Sequence, residues 1–290
     1  MLTAFVRAFQ TPDLRKKLLI TLGLIALFRF GASLPTPGIS EANVAFCSNA
    51  AAQGSTAGVL AIVNLLSGQA LLRLSVFALG IMPYITASII LQLLTVVIPR
   101  LETLKQEGQA GQAKITQYTR YLTIGLAILQ STGYIELVRN GTLWGTTQCT
   151  ATSNPVIPNA SVFRIATMVI VMVAGTAVIM WMGELITDRG VGNGMSVLIF
   201  TTVISVIPGE LLTIFQTRGV FTAAISVVVV IVVVTGIVFI EQAQRRIPVQ
   251  YAKRMVGRRM YGGTSTYIPM KVNMAGVIPV IFASSLLYIP

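Results

Sequence analysis

The sequence predicts an all-α protein, a polytopic bundle of transmembrane helices. Hydrophobic residues make up 54% of its 290 residues and charged residues only 10%, a balance that excludes a water-soluble globular domain and a disordered chain. The apolar residues are gathered in runs close to the ~20 residues that cross a hydrocarbon core. Because lipid offers backbone groups no hydrogen-bond partner, runs this long are predicted to be helices. The basic residues are concentrated in alternate loops between those runs.

Seven runs meet the length requirement. The first follows a basic segment and ends before the prolines of SLPTPG, and without a small-residue cleavage site it is expected to be a retained span and not a signal peptide. One charge lies well inside this run, Arg29, which we interpret as snorkelling to the outer interface or capping carbonyl groups. The seven runs are 18–34, 74–98, 121–138, 162–186, 195–215, 221–240 and 272–289.

The second run has an unusual composition and an unusual neighbour. The preceding stretch, 58–72, is apolar but is broken at the Ser-Gly pair 67–68 after about ten residues, too few to cross a bilayer. The run itself carries polar residues on one helical face at about 100° per residue. Lipid does not select such residues, so this face is predicted to look at protein or at water. The face consists of Ile81, Ile85, Ser88, Gln92 and Thr95.

The later runs repeat this pattern more weakly. The connection ITDRGVGNG between the fourth and fifth runs is short and turn-rich, which predicts antiparallel neighbours. Met195, Ile199 and Thr202 share one side of the fifth run, and Asn273 lies near the start of the seventh. Each polar side chain could face a closable passage, or it could make an ordinary hydrogen bond between packed helices. If Gln92 and Asn273 meet, their contact is worth only about 1 kcal/mol, weak enough for a seam that opens.

The distribution of basic residues predicts the orientation of the chain. By the positive-inside rule, segment 1–17 is cytoplasmic and the crossings then alternate. Most of the net charge of +12 is therefore explained by topology. The basic residues outside the long loop 241–271 that this orientation places inside are Arg7, Arg15, Lys16, Lys17, Arg100, Lys105, Lys114, Arg120 and Arg189.

The loop 241–271 is the most basic part of the chain. Residues Val249 to Arg254 predict a short strand, and Gly257 and the glycine pair 262–263 predict turns, so the loop is expected to be a hairpin projecting into the cytoplasm. One interpretation is an inner anchor attracted to anionic membrane lipids. The other is a docking surface for a partner, because the positive-inside bias needs only a few charges.

Cys47 and Cys149 are the only cysteines, and the predicted topology places both on the outer face. An oxidising outer compartment would allow a disulfide between them. We favour two unrelated loop cysteines, because separation in space cannot be deduced from spacing in sequence. The loop 140–161 around Cys149 is polar and is predicted to be irregular.

The chemistry of a catalyst is missing from the sequence. There is no histidine, no metal-ligand cluster and no Ser or Cys with a plausible base, and RGVGNGMS lacks the Lys and Ser/Thr of a nucleotide-phosphate loop. We expect neither an enzyme nor a cofactor. Ion-coupled transporters usually place Asp, Glu, His or Lys at membrane depth, whereas here the charge well inside a span is Arg29. A solute transporter and a membrane insertion scaffold without a pore remain the competing classes.

Long motifs spread over most of the chain resemble the bacterial SecY family, the channel subunits of the general protein-secretion translocon. The resemblance implies ten spans in two inverted halves of five, of which this chain holds the first half, 18–215, and two spans of the second, within 216–290. The motifs are NLLSGQALLRLSVFALGIMPYITASIILQLLTVVIP, EGQAGQAKITQYTRYL, MWMGELITDRGVGNGMS, QRRIPVQYAKRMVGRRMYGG and KVNMAGVIPVIFASSL.

The resemblance implies a function as well as a fold. A channel of this family conducts unfolded polypeptides across the membrane and inserts apolar segments into it, through a plugged pore with a lateral gate. Its energy comes from partners, a SecA-like ATPase or a ribosome at the cytoplasmic face, with contact to ribosomal RNA. SecE-like and SecG-like small membrane subunits clamp the bundle, and signal sequences and nascent polypeptides are the substrates. The expected location is the bacterial plasma membrane, as a multi-pass protein.

The resemblance also assigns candidate residues to four roles. The half-helix 58–72 becomes a re-entrant plug, with Val59, Ile62, Val63, Asn64, Leu65 and Ser67. The pore ring consists of Ile81, Ile85, Met195, Ile199 and Ile281, and its sixth member belongs to a later span. The lateral gate consists of Ser88, Gln92, Asn273 and, more weakly, Gln130. The residues assigned to binding of a ribosome or a SecA-like motor are Arg245, Arg246, Lys253, Arg254, Arg258 and Arg259.

Overall fold

The structure, a computed structural model, describes residues 11–52, 68, 70–141, 144, 149, 155–158, 161–249, 254–256, 259–261 and 266–273. For 49–52, 254–256 and 259–261 it describes the backbone alone. The chain divides into two compact units, Met1–Gly209 and Glu210–Pro290.

Helices dominate the described residues, which confirms the prediction of a polytopic helical bundle. By length and apolar composition, four of the described helices, α5 to α8, are able to cross a membrane, and α3 with α4 adds a fifth if that bent pair is one span. The seventh predicted run lies outside the described residues from position 274 onward. The helices are α1 Pro12–Ser33, α2 Glu41–Ala52, α3 Met82–Val97, α4 Pro99–Gln106, α5 Gln109–Arg139, α6 Val162–Arg189, α7 Gly194–Arg218 and α8 Val220–Gln242.

Local sequence determines where the helices begin. Helix α1 starts at Pro12, a position where no backbone N–H is needed, and Asp13 lies in its first turn beside the positive end of the helix dipole. The hydroxyl of Ser161 accepts a hydrogen bond from the backbone N–H of Arg164 at the start of α6, at 3.4 Å. At the start of α7, the side-chain oxygen of Asn193 accepts from the N–H of Met195 at 3.0 Å.

The second predicted span is shorter than expected. Residues 74–81 of the run 74–98 form turns, and α3 begins only at Met82. Gly80 has a left-handed φ of 56°, which ends any helix before it. Pro83 is tolerated in the first turn of α3, where no backbone N–H is needed. At the other end, Pro99 disfavours helical backbone at Ile98, and α4 leaves α3 at an angle of 100°.

The expectation that Cys47 and Cys149 are unrelated is wrong, because they form a disulfide with Cα atoms 5.8 Å apart. That separation lies within the usual range. They meet because α2 packs on the loop after α5, where the side-chain amide of Asn43 donates to the carbonyl of Pro155 at 2.8 Å. The loop 140–161 also contributes apolar residues to the interior, with Trp144 and Val156 both buried, although its composition is mostly polar.

Two clusters of buried side chains fill the unit Met1–Gly209. Both take residues from segment 70–81, which therefore connects them. The first, the cysteine cluster, contains Val44, Cys47, Leu71, Leu74, Ala78, Leu79, Ala127, Ile135, Val138, Trp144, Cys149, Val156, Ile157, Met168 and Met172. The second, the isoleucine cluster, contains Phe28, Phe77, Ile81, Ile179, Met182, Ile186 and Leu198, with Leu24, Val76, Tyr84, Ile85, Met195, Val197 and Ile199 packed against it.

The unit Glu210–Pro290 contains α8 and two antiparallel β-ribbons. Strands β1 Gln244–Val249 and β4 Thr266–Lys271 pair along their whole length, and β2 Arg254–Val256 pairs with β3 Arg259–Tyr261. The loop 241–271, predicted to be a hairpin, contains these paired strands, and its projection into the cytoplasm stays a prediction. Of the predicted strand from Val249 to Arg254, the first residue ends β1, the last begins β2, and 250–253 lie outside the described residues. The predicted turn glycines Gly257, Gly262 and Gly263 lie outside the described residues. At the base, the N–H of Val272 donates to the carbonyl of Ala243 at 3.1 Å.

Candidate functional site

The candidate pore residues are reached through a chain segment that is threaded between helices. After α1, the N–H of Thr36 donates to the carbonyl of Leu74 at 3.0 Å, and the N–H of Val76 donates to the carbonyl of Leu34 at 2.9 Å. These two bonds hold segment 70–81 against the end of α1 as a short piece of antiparallel ladder, with Pro35 paired to Ser75. Backbone bonds of this kind satisfy the polar groups of a non-helical segment inside a bundle.

Two glycines make room for this segment. A Cβ atom on Gly31 of α1 would overlap the ring of Phe77, and a Cβ on Gly175 of α6 would overlap the carbonyl group of Val76. The Phe77 ring then stacks on Phe28 of α1, with ring centroids 5.9 Å apart. Segment 70–81 therefore passes closely between α1 and α6 and delivers Ile81 to the start of α3.

The isoleucine cluster contains four of the five candidate pore-ring residues. Ile81 is buried in it, at 4% exposure, and Ile85, Met195 and Ile199 are half-buried and pack against it. Side chains from the second and fifth runs therefore pack at one cluster, and their role as a pore ring stays a prediction. The fifth candidate, Ile281, lies outside the described residues. These four side chains are apolar and carry no oxygen or nitrogen to replace the water around an ion.

Close approach of α6 and α7 positions Met195. A Cβ on Gly194 would overlap the carbonyl group of Gly183, and a Cβ on Gly183 would press on the sulfur and methyl groups of Met195. The hydroxyl of Thr187 accepts a hydrogen bond from the N–H of Gly194 at 2.9 Å. The turn ITDRGVGNG is therefore held closed by hydrogen bonds, and it places Met195 beside the end of α6 that precedes the turn.

The candidate plug residues Val59, Ile62, Val63, Asn64, Leu65 and Ser67 lie outside the described residues. Gly68, next to them in sequence, is buried and has a left-handed φ of 63°. A Cβ at Gly68 would lie 3.3 Å from the Cβ of Thr202 in α7. Thr202 is itself buried, one turn beyond Ile199. The described end of the predicted plug stretch therefore touches the same helix that carries Met195 and Ile199.

The candidate gate residues differ in exposure. Ser88 and Gln130 are half-buried and Gln92 is exposed. Thr95, on the face predicted to be polar, is buried and donates its hydroxyl to the carbonyl of Gln92 at 2.6 Å. Asn273 belongs to the other unit, where its amide donates to the carboxylate of Glu241 at 3.2 Å. A contact between Gln92 and Asn273 stays a prediction.

Two interactions in the helical unit were not predicted from the sequence. Arg29 donates to the hydroxyl of Ser205 at 2.7 Å, so the side chain interpreted as snorkelling or capping carbonyls also joins α1 to α7. Arg120 of α5 forms a two-pronged ion pair with Glu184 of α6, with nitrogen-to-oxygen distances of 2.7 and 2.8 Å. No sequence pattern links these pairs, because the partners come from helices that are far apart in the chain.

Two arginines of the basic hairpin have described side chains. Arg245 and Arg246 of β1 are exposed, and the guanidinium of Arg246 lies 4.8 Å from the ring centre of Tyr267 on β4, which is a cation–π distance. Arg254 and Arg259 lie in β2 and β3, where the backbone is described. Lys253 and Arg258 lie outside the described residues. Across the described part of the chain, no three His, Cys, Asp or Glu residues are grouped as metal ligands.

Comparison with known proteins identifies the family. Residues 75–290 match the SecY family. The chain is 60% identical over 294 aligned residues to the protein translocase subunit SecY of Streptomyces scabiei, covering 100% of this chain and 66% of that protein. The chain thus spans about two thirds of the length of this relative.

Solved structures show the same fold. A structure described as that of a protein conducting channel has a TM-score of 0.59 at 17% identity, over 94% of this chain and 56% of that one. A second, which concerns the plug domain of the SecY protein and the closed state of the translocation channel, has a TM-score of 0.57 at 19% identity, over 94% of this chain and 56% of the other. The chain is therefore a multi-pass membrane protein that belongs to the SecY family.

Proposed function

We propose that the protein to which this chain belongs conducts unfolded polypeptides across a membrane and releases apolar segments sideways into it. The observation that carries the proposal is the gathering of Ile81, Ile85, Met195 and Ile199 around one aliphatic cluster. They come from two separate stretches of the chain, one before α6 in the sequence and one after it. A relative that is 60% identical over 294 aligned residues is a protein translocase subunit.

An aliphatic constriction has the physical properties that a polypeptide channel needs. Apolar side chains cannot replace the hydration shell of an ion, and a narrow apolar passage expels water, so it resists leakage. Flexible side chains such as Ile and Met can move aside for an extended polypeptide, because they are held by packing and not by hydrogen bonds. We therefore assign Ile81, Ile85, Met195 and Ile199, with Ile281, to the pore ring.

The gate and the plug are proposed on the same basis. Ser88, Gln92, Gln130 and Asn273 are polar side chains at span positions, and contacts between such groups in membranes are worth only about 1 kcal/mol. Burial of the apolar core of a signal sequence yields about 0.8 kcal/mol per CH₂ group, enough to replace them. The plug is assigned to 58–72, and the contact of Gly68 with Thr202 supports a seat for it beside α7.

The basic hairpin 241–271 is proposed as the docking surface for the partner that supplies energy. Exposed arginines on a projecting ribbon suit the phosphates of ribosomal RNA, or an acidic surface of a SecA-like ATPase. SecE-like and SecG-like subunits are expected to cover α8, whose apolar side chains are almost all exposed in this chain. The charge distribution supports a cytoplasmic amino terminus in a bacterial plasma membrane. No catalytic step is assigned to this chain.

Ion leakage through the full-length protein in lipid vesicles tests the proposal. Ile85→Asn places an amide in the proposed ring, and Ile90→Asn makes the same change at a half-buried position of α3 outside the isoleucine cluster. We expect Ile85→Asn to raise the leak of the resting channel while Ile90→Asn leaves it unchanged. Equal leaks from the two variants would remove the ring assignment. Vesicles that take up a small solute but no signal-bearing polypeptide would instead indicate a transporter.

A further inference from the structure

We infer that the disulfide between Cys47 and Cys149 clamps the segment that leads to the pore ring. The inference rests on the proposed function for the outer location of the two residues and for the role of the ring. The bond joins residues separated by 102 positions in the sequence. It ties helix α2 to the loop between α5 and α6.

Few other contacts with described residues hold α2 in place. Among its described side chains, 41–48, only Val44 and Cys47 are buried. Apart from the packing of Val44, the remaining attachments among the described residues are polar: the N–H of Ser40 donates to the carbonyl of Val156 at 3.0 Å, and the amide of Asn43 donates to the carbonyl of Pro155. A helix of 12 residues is marginal by itself. The covalent bond is therefore a large part of what keeps α2 on the loop.

The disulfide belongs to the cluster of buried side chains that also contains part of segment 70–81. Cys47 and Cys149 are 0% and 2% exposed, and Leu71, Leu74 and Leu79 belong to the same cluster. Residues 77 and 81 of this segment belong to the isoleucine cluster. Loosening the cysteine cluster thus loosens the support of Ile81 along one continuous route, from α2 through Leu74 to the start of α3.

The disulfide between Cys47 and Cys149 forms by a two-electron oxidation. The two thiols lose two protons and two electrons and form one S–S bond, while a disulfide-bearing oxidant on the outer face is reduced to a dithiol. The exchange passes through a mixed disulfide, in which one cysteine is bonded to the oxidant until the other displaces it. Because both sulfurs are shielded once α2 has packed, this exchange must precede packing, and the finished bond is protected from outside thiols.

The oxidation state is measured first, on the full-length protein in native membranes. After acid quenching and alkylation under denaturing conditions, mass spectrometry of an unreduced digest should show one linked peptide pair containing Cys47 and Cys149. Alkylation of both residues without reductant overturns the inference. With reduced purified protein, re-formation of the bond should consume one glutathione disulfide and release two glutathione thiols per chain.

The clamp is measured second, by amide hydrogen exchange at the hydrogen-bonded N–H groups of Leu74, Ser75, Val76 and Ala78. Cys47→Ser, Cys149→Ser and the double variant should each raise exchange there at least about tenfold, and all by the same factor, because each removes the same bond. Ser48→Ala, at a half-buried position whose hydroxyl donates to the carbonyl of Ala45 in the same helix, should have no effect. Unchanged exchange in the double variant overturns the clamp.

Ion leakage separates the clamp from the proposed channel function. If exchange rises and leakage of the double variant also rises, the clamp supports the closed ring. If exchange rises in the double variant but Ile85→Asn produces no leak, the clamp is retained and the channel assignment fails. Dithiothreitol applied during synthesis should reproduce the exchange of the double variant in the unmodified protein and should change nothing in the double variant itself. A further rise in the double variant would show that the reductant acts elsewhere and would overturn the assignment.

Discussion

The carbonyl group of Val76 occupies the space where a side chain at Gly175 would begin. This contact between α6 and a non-helical backbone segment explains how segment 70–81 passes through a bundle of helices. The segment brings Ile81 into the isoleucine cluster, where Ile85, Met195 and Ile199 also pack. The position of the pore-ring candidates thus depends on a glycine that lies outside the ring.

Gly175→Ala should therefore destabilise the protein, although alanine is the better helix former. The new Cβ cannot fit without moving the backbone at Val76, and overpacking of this kind costs about 1–3 kcal/mol. We expect a lower midpoint of thermal unfolding for the full-length protein in detergent. Gly125→Ala in α5 is the matched control, because nothing lies within 4 Å of a Cβ there. It should be neutral or stabilising, and a fall equal to that of Gly175→Ala would contradict the close contact.

The ion pair between Arg120 and Glu184 should couple α5 to α6. Its two-pronged geometry favours a measurable coupling, but the side chains are 47% and 25% exposed, so solvent screening limits it to about 0.5–1 kcal/mol. A double-mutant cycle of Arg120→Gln and Glu184→Gln, followed by thermal unfolding at low salt, measures the coupling. The exposed pair of Glu136 and Arg139 in α5, at 3.6 Å, should show less. Equal coupling in the two cycles would argue against a special role for the pair between helices.

The sequence predicts the features of this site that depend on neighbouring residues, but not the contacts between residues that are far apart in the chain. The faces that carry Ile81, Ile85, Met195 and Ile199 are visible because helical periodicity is a local pattern. The apolar run does not reveal the start of α3 at Met82, because it continues through Gly80 and Pro83, the two residues that mark that start. The pairing of Cys47 with Cys149, and of Arg120 with Glu184, is set by which loops and helices meet in space. Nothing in the spacing of those residues contains that information.

Charge reversal at the tip of the basic hairpin should weaken docking of a ribosome. Arg258→Glu with Arg259→Glu removes two phosphate contacts, so the slope of log affinity against log salt should become shallower by roughly 0.7–0.9 per contact. Binding of purified ribosomes to the full-length protein in vesicles at several salt concentrations measures this. Arg139→Glu, an exposed charge at the last residue of α5, controls for net charge. If the charge-reversal variant and the unmodified protein have identical slopes, the hairpin is a lipid anchor and not a docking surface.

Gly68 and Gly80 allow the contact with α7 to be separated from backbone strain. Both have a left-handed φ, 63° and 56°, so an alanine at either position costs about 1–3 kcal/mol in the backbone alone. At Gly80 nothing lies within 4 Å of the new Cβ, whereas at Gly68 it meets Thr202 at 3.3 Å. We expect Gly68→Ala to lower the unfolding midpoint further than Gly80→Ala, and to raise ion leakage if the plug is seated there. Equal midpoints and equal leakage would mean that the chain at Gly68 does not rest on α7.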